Sequence, residues 1–534
     1  MSIMKALDPR GLYNDIIQAP LSQRPADYSG KTIYIIESWP RNSGFEEIMD
    51  RMKKYLSDKY PGVNFLQTKR TMYASDDPRL WKEVKSKADA FVYFGAPSCS
   101  TTAYAITWPA RALERFGLPG VVLIYKYLED DAVMSQDREG MKIRYVDVPY
   151  PYADIPEEDK DAVVRRIDEA LTKAPEGDEL ISGVRVPEPP ARFACEGTWE
   201  EINDYFYEQG WTDGLPIVPP TEEKVAEMLK GTSHAPDEIV CTQMAPEGQK
   251  VTVEKAAINA VMAGAEPSYL PVILAACEIM GRSQRYHATS KSTNSFSYMQ
   301  VVNGPIRNEI GMNSGVYALG AGNKANAVIG RALRLALTNL GGAKVGVNLM
   351  GVQGNVSTYT FCFAENEEAS PWNSLAEELG YGKDESVLSI ITGGSAHSGN
   401  YMFARGMDGI MRSIKAYESL SGWTLLLSPR RAQELAEAGY DTKEKVMDYL
   451  WHAASMSIGE LKALGHFDRY IVRDIKGGGG KFPKEYMDLP DDAVVPMFPR
   501  SDINVVVVGD PEGTNVMQGW MMHGADSTSV DKWR

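Results

Sequence analysis

Between Thr32 and Tyr125 short apolar runs alternate with amphipathic stretches, and this alternation constrains the fold more than any other feature of the chain. TIYII reads as a strand, followed by the loop ESWPRNSG and a helix from about Phe45 to Leu56. VNFLQ, ADAFVYFG and GVVLIYKYL read as three further strands, with DPRLWKEVKSK and TAYAITWPARALERFG as the helices between them. Strands and helices alternating at this spacing make a parallel, doubly wound sheet. Ligands bind such sheets beyond the carboxyl ends of the strands. Two loops reach that edge: Glu37 to Gly44, and the Gly/Pro/Ser/Thr loop that carries Cys99.

The helix EEDKDAVVRRIDEALTK closes this first unit, so residues 1–170 form a flavodoxin-like domain of the α/β class. Residues 171–198, rich in Pro, Gly and acids, read as a linker. Beyond them lies a larger α/β domain, 199–534, open to division into 199–385 and 386–534. Thr221 and Asn323 are placed to cap helices, VTVEKAAINAVMAG and YLPVILAACEIMG each end in Gly, and Ser428-Pro429 opens a helix in cap-then-proline order. VLSIITGG, TLLLS and INVVVVGD read as strands between such helices.

At 534 residues the chain is too long for one hydrophobic core. Its net charge of -16 is spread along the sequence, which disfavours nucleic acid and anionic membrane as partners. No apolar run approaches a membrane span and the N-terminus lacks the pattern of a secretion signal, so a cytoplasmic location is expected. The five cysteines, Cys99, Cys195, Cys241, Cys277 and Cys362, form no Cys-x-x-Cys pair, which argues against a zinc ribbon and against a disulfide scaffold.

A thiol at a helix N-terminus faces free backbone N–H groups and the positive end of the helix dipole, both of which favour the thiolate. Cys99 stands in that position. Ser98, Ser100, Thr101 and Thr102 add hydroxyls that could orient a substrate or cap the helix. The alternative is a small buried residue in a tight turn. Asn303, Arg307, Asn313 and Asn323 fall in Gly-rich turns ahead of an apolar helix and could form an anion site, or could be capping residues of structural turns. GAGNKAN lacks the spacing of a nucleotide loop, and no cofactor is expected.

TFCFAENEEASPW sets Cys362 beside Glu365, Glu367 and Glu368. Glu365 and Glu367 are the stronger candidates for a general acid or base, since burial beside aromatic neighbours would favour the protonated form; a solvated acidic loop is the alternative. His397, in TGGSAHSGN, is a candidate for proton transfer or a hydrogen-bonded structural residue, and His287 and His523 lie in similar polar stretches. No two histidines have the spacing of a zinc pair, and no metal is expected.

The segment AFVYFGAPSCSTTAYAITWPARALERFGLPGVVL resembles the signature of the UGSC-motif (seleno)proteins, in which an apolar strand and a Gly lead into Sec-or-Cys, Gly, Ser, Cys and Thr before a helix. The similarity covers roughly Lys31 to Glu129, and the remainder is similar to the long partner domain that accompanies that module. The resemblance implies thiol-redox chemistry. Ala96-Pro97-Ser98-Cys99, however, stands in place of the motif, so the first chalcogen is missing and a vicinal redox pair cannot form.

Three functions follow as expectations. The first is a cysteine-dependent lyase or transferase, in which Cys99 attacks a small, anionic organic substrate at sulfur or at a carbon bearing a leaving group. The second, implied by the resemblance, is a thiol-disulfide oxidoreductase pairing Cys99 with a distant cysteine such as Cys362. The third is a non-catalytic ligand-binding or scaffold subunit. The partner expected is a small molecule, and a homo-oligomer is compatible with the sequence.

Overall fold

A computed structural model of the chain describes residues 3–38, 45–70, 76–95, 101–398, 422–477, 480–512, 516–521 and 524–534. Two short strands come first, β1 (Met4–Leu7) and β2 (Ile16–Gln18). The main sheet of the N-terminal module then follows, built from β3 (Thr32–Glu37), β4 (Asn64–Lys69), β5 (Ala90–Phe94), β6 (Gly120–Tyr125) and β7 (Tyr145–Val148). Its order is β4-β3-β5-β6-β7 and every neighbour pair is parallel. This is the flavodoxin-like order, and the direction of winding reverses between β3 and β5.

Five helices cover the sheet: α1 (Phe45–Lys59), α2 (Pro78–Lys87), α3 (Thr101–Ala112), α4 (Glu129–Glu139) and α5 (Glu157–Thr172). Side chains alternate along each strand, so the two faces bury different sets. Ile33, Ile35, Val92 and Leu123 pack under α1 and α5, against Ile48, Met52, Leu56, Val163 and Ile167. Tyr34, Ile36, Phe91, Tyr93 and Val122 pack under α2 and α3, against Trp81, Val84, Tyr104, Ile106 and Trp108.

The sequence pattern gives four strands, and the structure adds α4 and β7. The buried face of α4 carries Asp131, Ser135, Gln136 and Glu139 beside Ala132, so its inward residues are mostly polar and the hydrophobic period is lost. Half of β7, YVDV, is only partly buried.

The stretch 171–198 is fastened to the start of the chain along part of its length. β8 (Gly183–Arg185) pairs with β2, and β9 (Phe193–Gly197) pairs with β1, both antiparallel. Ala6 and Leu7 are thereby buried in the main core of the second domain.

That core is built largely from helices. α6 (Trp199–Glu208) and α7 (Glu222–Met228) precede a ribbon of β10 (Ile239–Met244) and β11 (Gln249–Thr252), followed by α8 (Val253–Ala263), α9 (Leu270–Met280) and α10 (Gln284–Ser290). Next come β12 (Ser297–Asn303), α11 (Ile306–Glu309), α12 (Lys324–Asn339), β13 (Cys362–Ala364), α13 (Leu375–Glu378), β14 (Val387–Ser398) and β15 (Trp423–Leu427). A small ribbon of β16 (Ser455–Ser457) and β17 (Val494–Pro496) is followed by β18 (Ile503–Val507), β19 (Val516–Met521) and β20 (Asp526–Ser529). A mixed seven-stranded sheet runs β13-β12-β14-β19-β15-β18, with β20 on β14.

A division at 385/386 does not follow this sheet, because β14 hydrogen-bonds along the whole of β12. Strand periodicity gives no warning of such a pairing, since the partners are distant in sequence. The helix caps do follow the sequence: the Thr221 hydroxyl accepts from the Lys224 N–H and the Asn323 side chain from the Asn326 N–H, while α8 stops at left-handed Gly264.

Gly120 opens β6 directly beneath the ring of Phe91, where an added Cβ would lie 2.3 Å from the nearest ring carbon. Phe91 is fully buried and has no free space to enter. Gly120→Ala is therefore expected to destabilise the protein by about 1–3 kcal/mol. A urea midpoint equal to that of the wild type would show that the ring repacks freely.

Candidate active site

At the carboxyl edge of the parallel sheet, β3 and β5 end side by side. The Ser38 N–H and hydroxyl both donate to the Phe94 carbonyl, at 3.0 and 2.9 Å. The Gly95 N–H reaches the Leu123 carbonyl at 3.0 Å, and a Cβ at residue 95 would lie 2.9 Å from that same oxygen. A side chain is therefore disfavoured where the chain leaves β5. The helix α3 begins at Thr101, so residues 96–100 join the carboxyl end of β5 to the first turn of a helix, at the point where the winding reverses.

Ser98, Cys99 and Ser100 lie outside the described residues, as do the side chains of Thr101, Thr102 and His397. His523 also lies outside them. The backbone of His397 is in β14, paired with Gln518 of β19.

The second domain is fastened to this module by buried charges. Lys291, just after α10, places its ammonium 2.6 Å from the Glu247 carboxylate and 3.5 Å from that of Asp131 in the first turn of α4. Arg138, at the other end of α4, donates to the second oxygen of Glu247 at 2.8 Å, and Asn348 donates to the first at 2.7 Å. Burial alone would raise the Glu247 carboxyl, but the Lys291 and Arg138 charges outweigh it and hold it at about 2. Asp131 has weaker support: one of its oxygens has no partner, and burial pushes it above the ordinary carboxylate range despite Lys291. His287, on α10, bonds the Pro246 carbonyl through Nδ1, and burial lowers it to about 4, so it is neutral at neutral pH.

Asp131 stands in the first turn of α4, the helix that packs against α3. Thr107 of α3 meets Arg138 and Glu139 of α4, and the two helices run side by side away from the sheet edge. Two turns back from that contact, the beginning of α4 stands level with the beginning of α3. Sequence reasoning named His287 but missed Asp131, Glu247 and Lys291, because charges so far apart in sequence carry no shared spacing. The one available signal was an acidic helix, EDDAVMSQDRE, without an apolar face.

A second constellation brings together five of the residues singled out in the sequence, Asn303, Arg307, Glu365, Glu367 and Glu368. Glu365 is fully buried and accepts from Lys443 at 2.6 Å, from the Leu375 N–H at 2.7 Å, from Asn303 at 2.8 Å and from the Val507 N–H at 3.2 Å. Its surroundings are donors, where aromatic faces were expected. Four donors on two oxygens hold it as a fixed counter-ion. Glu367 accepts from Asn303, from the Gly304 N–H and from Arg307, while two bonds from Arg307 hold Glu368 at about 2. The acidic loop thus forms a network of ion pairs and hydrogen bonds.

Asn313 and Asn323 are occupied as turn residues. Asn323 caps α12 and donates to the Gly311 carbonyl, and Asn313 bridges the Gly315 N–H and the Val316 carbonyl. The N–H groups expected to receive an anion already have side-chain acceptors, which is the capping alternative.

Burial raises the thiols of Cys195, Cys241, Cys277 and Cys362, with Cys241 pushed up to about 12. None of these four is an activated nucleophile. Among the described residues no group of His, Cys, Asp and Glu is arranged to hold a metal ion, and no helix is long and apolar enough to cross a membrane. A groove of about 760 Å³ between α2 and α3 is lined by Trp81, Trp108, Phe116 and Lys85. The Arg70 guanidinium lies 4.8 Å from the Trp81 ring centre and 5.6 Å from that of Trp108.

The N-terminal module is thus a flavodoxin-like domain in which Cys99 falls between β5 and α3 in sequence, and a larger mixed α/β domain contacts it at α4. Residues 5–175 match the model of the UGSC family. No curated protein and no solved structure matches the chain.

The neutral, desolvated His287 carries a pH dependence. Between its ordinary pKa of 6.5 and its folded value of about 4, the unfolded chain binds a proton that the folded chain does not. Its contribution is complete above pH 6.5 and is lost as the pH falls through that window, by up to about 3 kcal/mol. Urea midpoints between pH 8 and pH 4 should fall more steeply for the wild type than for His287→Asn, which keeps a donor toward Pro246. Equal slopes would place the imidazole in contact with water.

Proposed function

We propose that this chain is a single-thiol enzyme. Cys99 attacks a small, anionic organic substrate at sulfur or at a carbon bearing a leaving group, a covalent intermediate forms on the sulfur, and a second step releases it. The observation that carries this reading is the connection of β5 to α3. A cysteine between the carboxyl end of a central strand and the start of a helix, at the switch point of a doubly wound sheet, has both the location used by ligands and the backbone dipoles that favour a thiolate. The family match over residues 5–175 adds weight, because it covers this loop.

The alternative, a disulfide formed between Cys99 and Cys362, has less support. Cys362 lies in β13 with its thiol raised by burial, and the sequence departs from the vicinal motif at Ala96. Attack by a thiol on a disulfide requires its thiolate.

Alkylation by iodoacetamide followed against pH tests the reading. Cys99 is expected to react with a midpoint below the ~8.5 of a free thiol. A midpoint at or above that value would favour a non-catalytic subunit.

A second test is the intact mass after exposure to a metabolite extract. The wild type and Cys362→Ser should gain the same adduct, and Cys99→Ser should gain none. An oxidised wild type two thiols short of its reduced form, with Cys362→Ser unable to show that deficit, would restore the redox reading.

A further inference from the structure

Two surfaces of this chain, one in each domain, each lack the charge that the other carries. The first is the groove between α2 and α3, helices that lie on the same face of the parallel sheet. Trp81, Lys82 and Lys85 of α2 line it with Trp108 and Arg111 of α3 and with Phe116, whose ring is 67% exposed. Arg111 is held by Glu139, at 2.6 and 3.0 Å. The carboxylate of α2, Glu83, pairs with Lys87 at 2.9 Å, and Asp76 in the groove accepts from the Trp81 indole N–H at 2.7 Å and from the Asp77 N–H at 2.9 Å. Lys82 and Lys85 are exposed and have no carboxylate partner among the described residues. The Lys85 ammonium rests 4.3 Å from the centre of the Phe116 ring.

The second surface is the outer face of α6. Ile202 and Phe206 turn inward, so Glu200, Asp204 and Glu208, spaced four apart, form an exposed stripe with Tyr207 beside them. Tyr207 is 66% exposed, and none of the three acids has a cation partner among the described residues. With a net charge of -16, copies of this chain repel one another unless a local patch of opposite sign offsets the repulsion. The groove is such a patch. α2 and α6 each have ten residues, about 15 Å of helix, so the stripe and the groove match in length. A helix laid along a groove is read through residues at i, i+4 and i+7, the spacing of Glu200, Asp204 and Tyr207.

We propose that the α2–α3 groove binds α6 of a second copy of this chain. The acids of α6 meet Lys82 and Lys85, and Tyr207 packs on Phe116. The contact joins two different surfaces, so a two-fold axis makes it twice in a dimer, and any other rotation links copies into a ring or a chain. In each form the charges meet at a rim open to solvent, where salt weakens their attraction.

The test is sedimentation velocity of the full chain at micromolar concentration. The wild type is expected to exceed the monomer mass in low salt and to shift toward it in ~1 M sodium chloride, where the Debye length is about 3 Å. Lys82→Glu with Lys85→Glu, and separately Glu200→Lys with Asp204→Lys, should each weaken association at least ~10-fold, because each sets like charges against one another. A mixture of the two double variants should associate as the wild type does, since every groove then finds a helix of opposite charge. Restoration on mixing also shows that both variants are folded. The proposal is overturned by a monomeric wild type in low salt, by association that ignores salt, by either double variant associating like the wild type, or by a mixture that stays monomeric.

Discussion

One carboxylate gathers charges from both domains. Glu247 sits in the turn of the β10–β11 ribbon and receives Lys291 and Asn348 from its own domain and Arg138 from the N-terminal module. Removing such charges from water is costly, and the cost is offset only when every member is paired in good geometry. Rotation of one domain against the other would break the Arg138–Glu247 bond and leave Glu247 to Lys291 and Asn348 alone. The ion cluster therefore specifies orientation more than it adds stability. Apolar contacts follow it: Ala288 packs on the α2–α3 side of the parallel sheet, and Met350 on the α1–α5 side.

At the interface the second domain brings a lysine to the first turn of α4. Asp131 is the soft point of the arrangement. With one oxygen unsatisfied and its proton affinity raised by burial, it is the member of the cluster whose charge the surroundings least enforce.

Most of the N-terminal module was legible because its signals are local. TIYII, AFVYF and GVVLIY are strands whose neighbours are fixed by right-handed crossovers, and Thr221, Asn323 and Gly264 punctuate helices with their own chemistry. α4 and β7 were missed because their inward residues are polar or only partly buried, so periodicity is silent where the chain makes electrostatic contacts. The candidate site divides along the same line. Asn303, Arg307, Glu365 and Glu367 could be named as a group, since they lie in two polar turns, but their meeting with Lys443 could not. That one lysine bonds a carboxylate that lies 78 residues away in sequence.

The treatment of buried charge gives the remaining step. Arg24 pairs with Glu114, Lys291 with Glu247 and Lys443 with Glu365, each with the cation almost wholly enclosed and the acid within 2.6 Å. In each case the charge on both partners is satisfied within the protein.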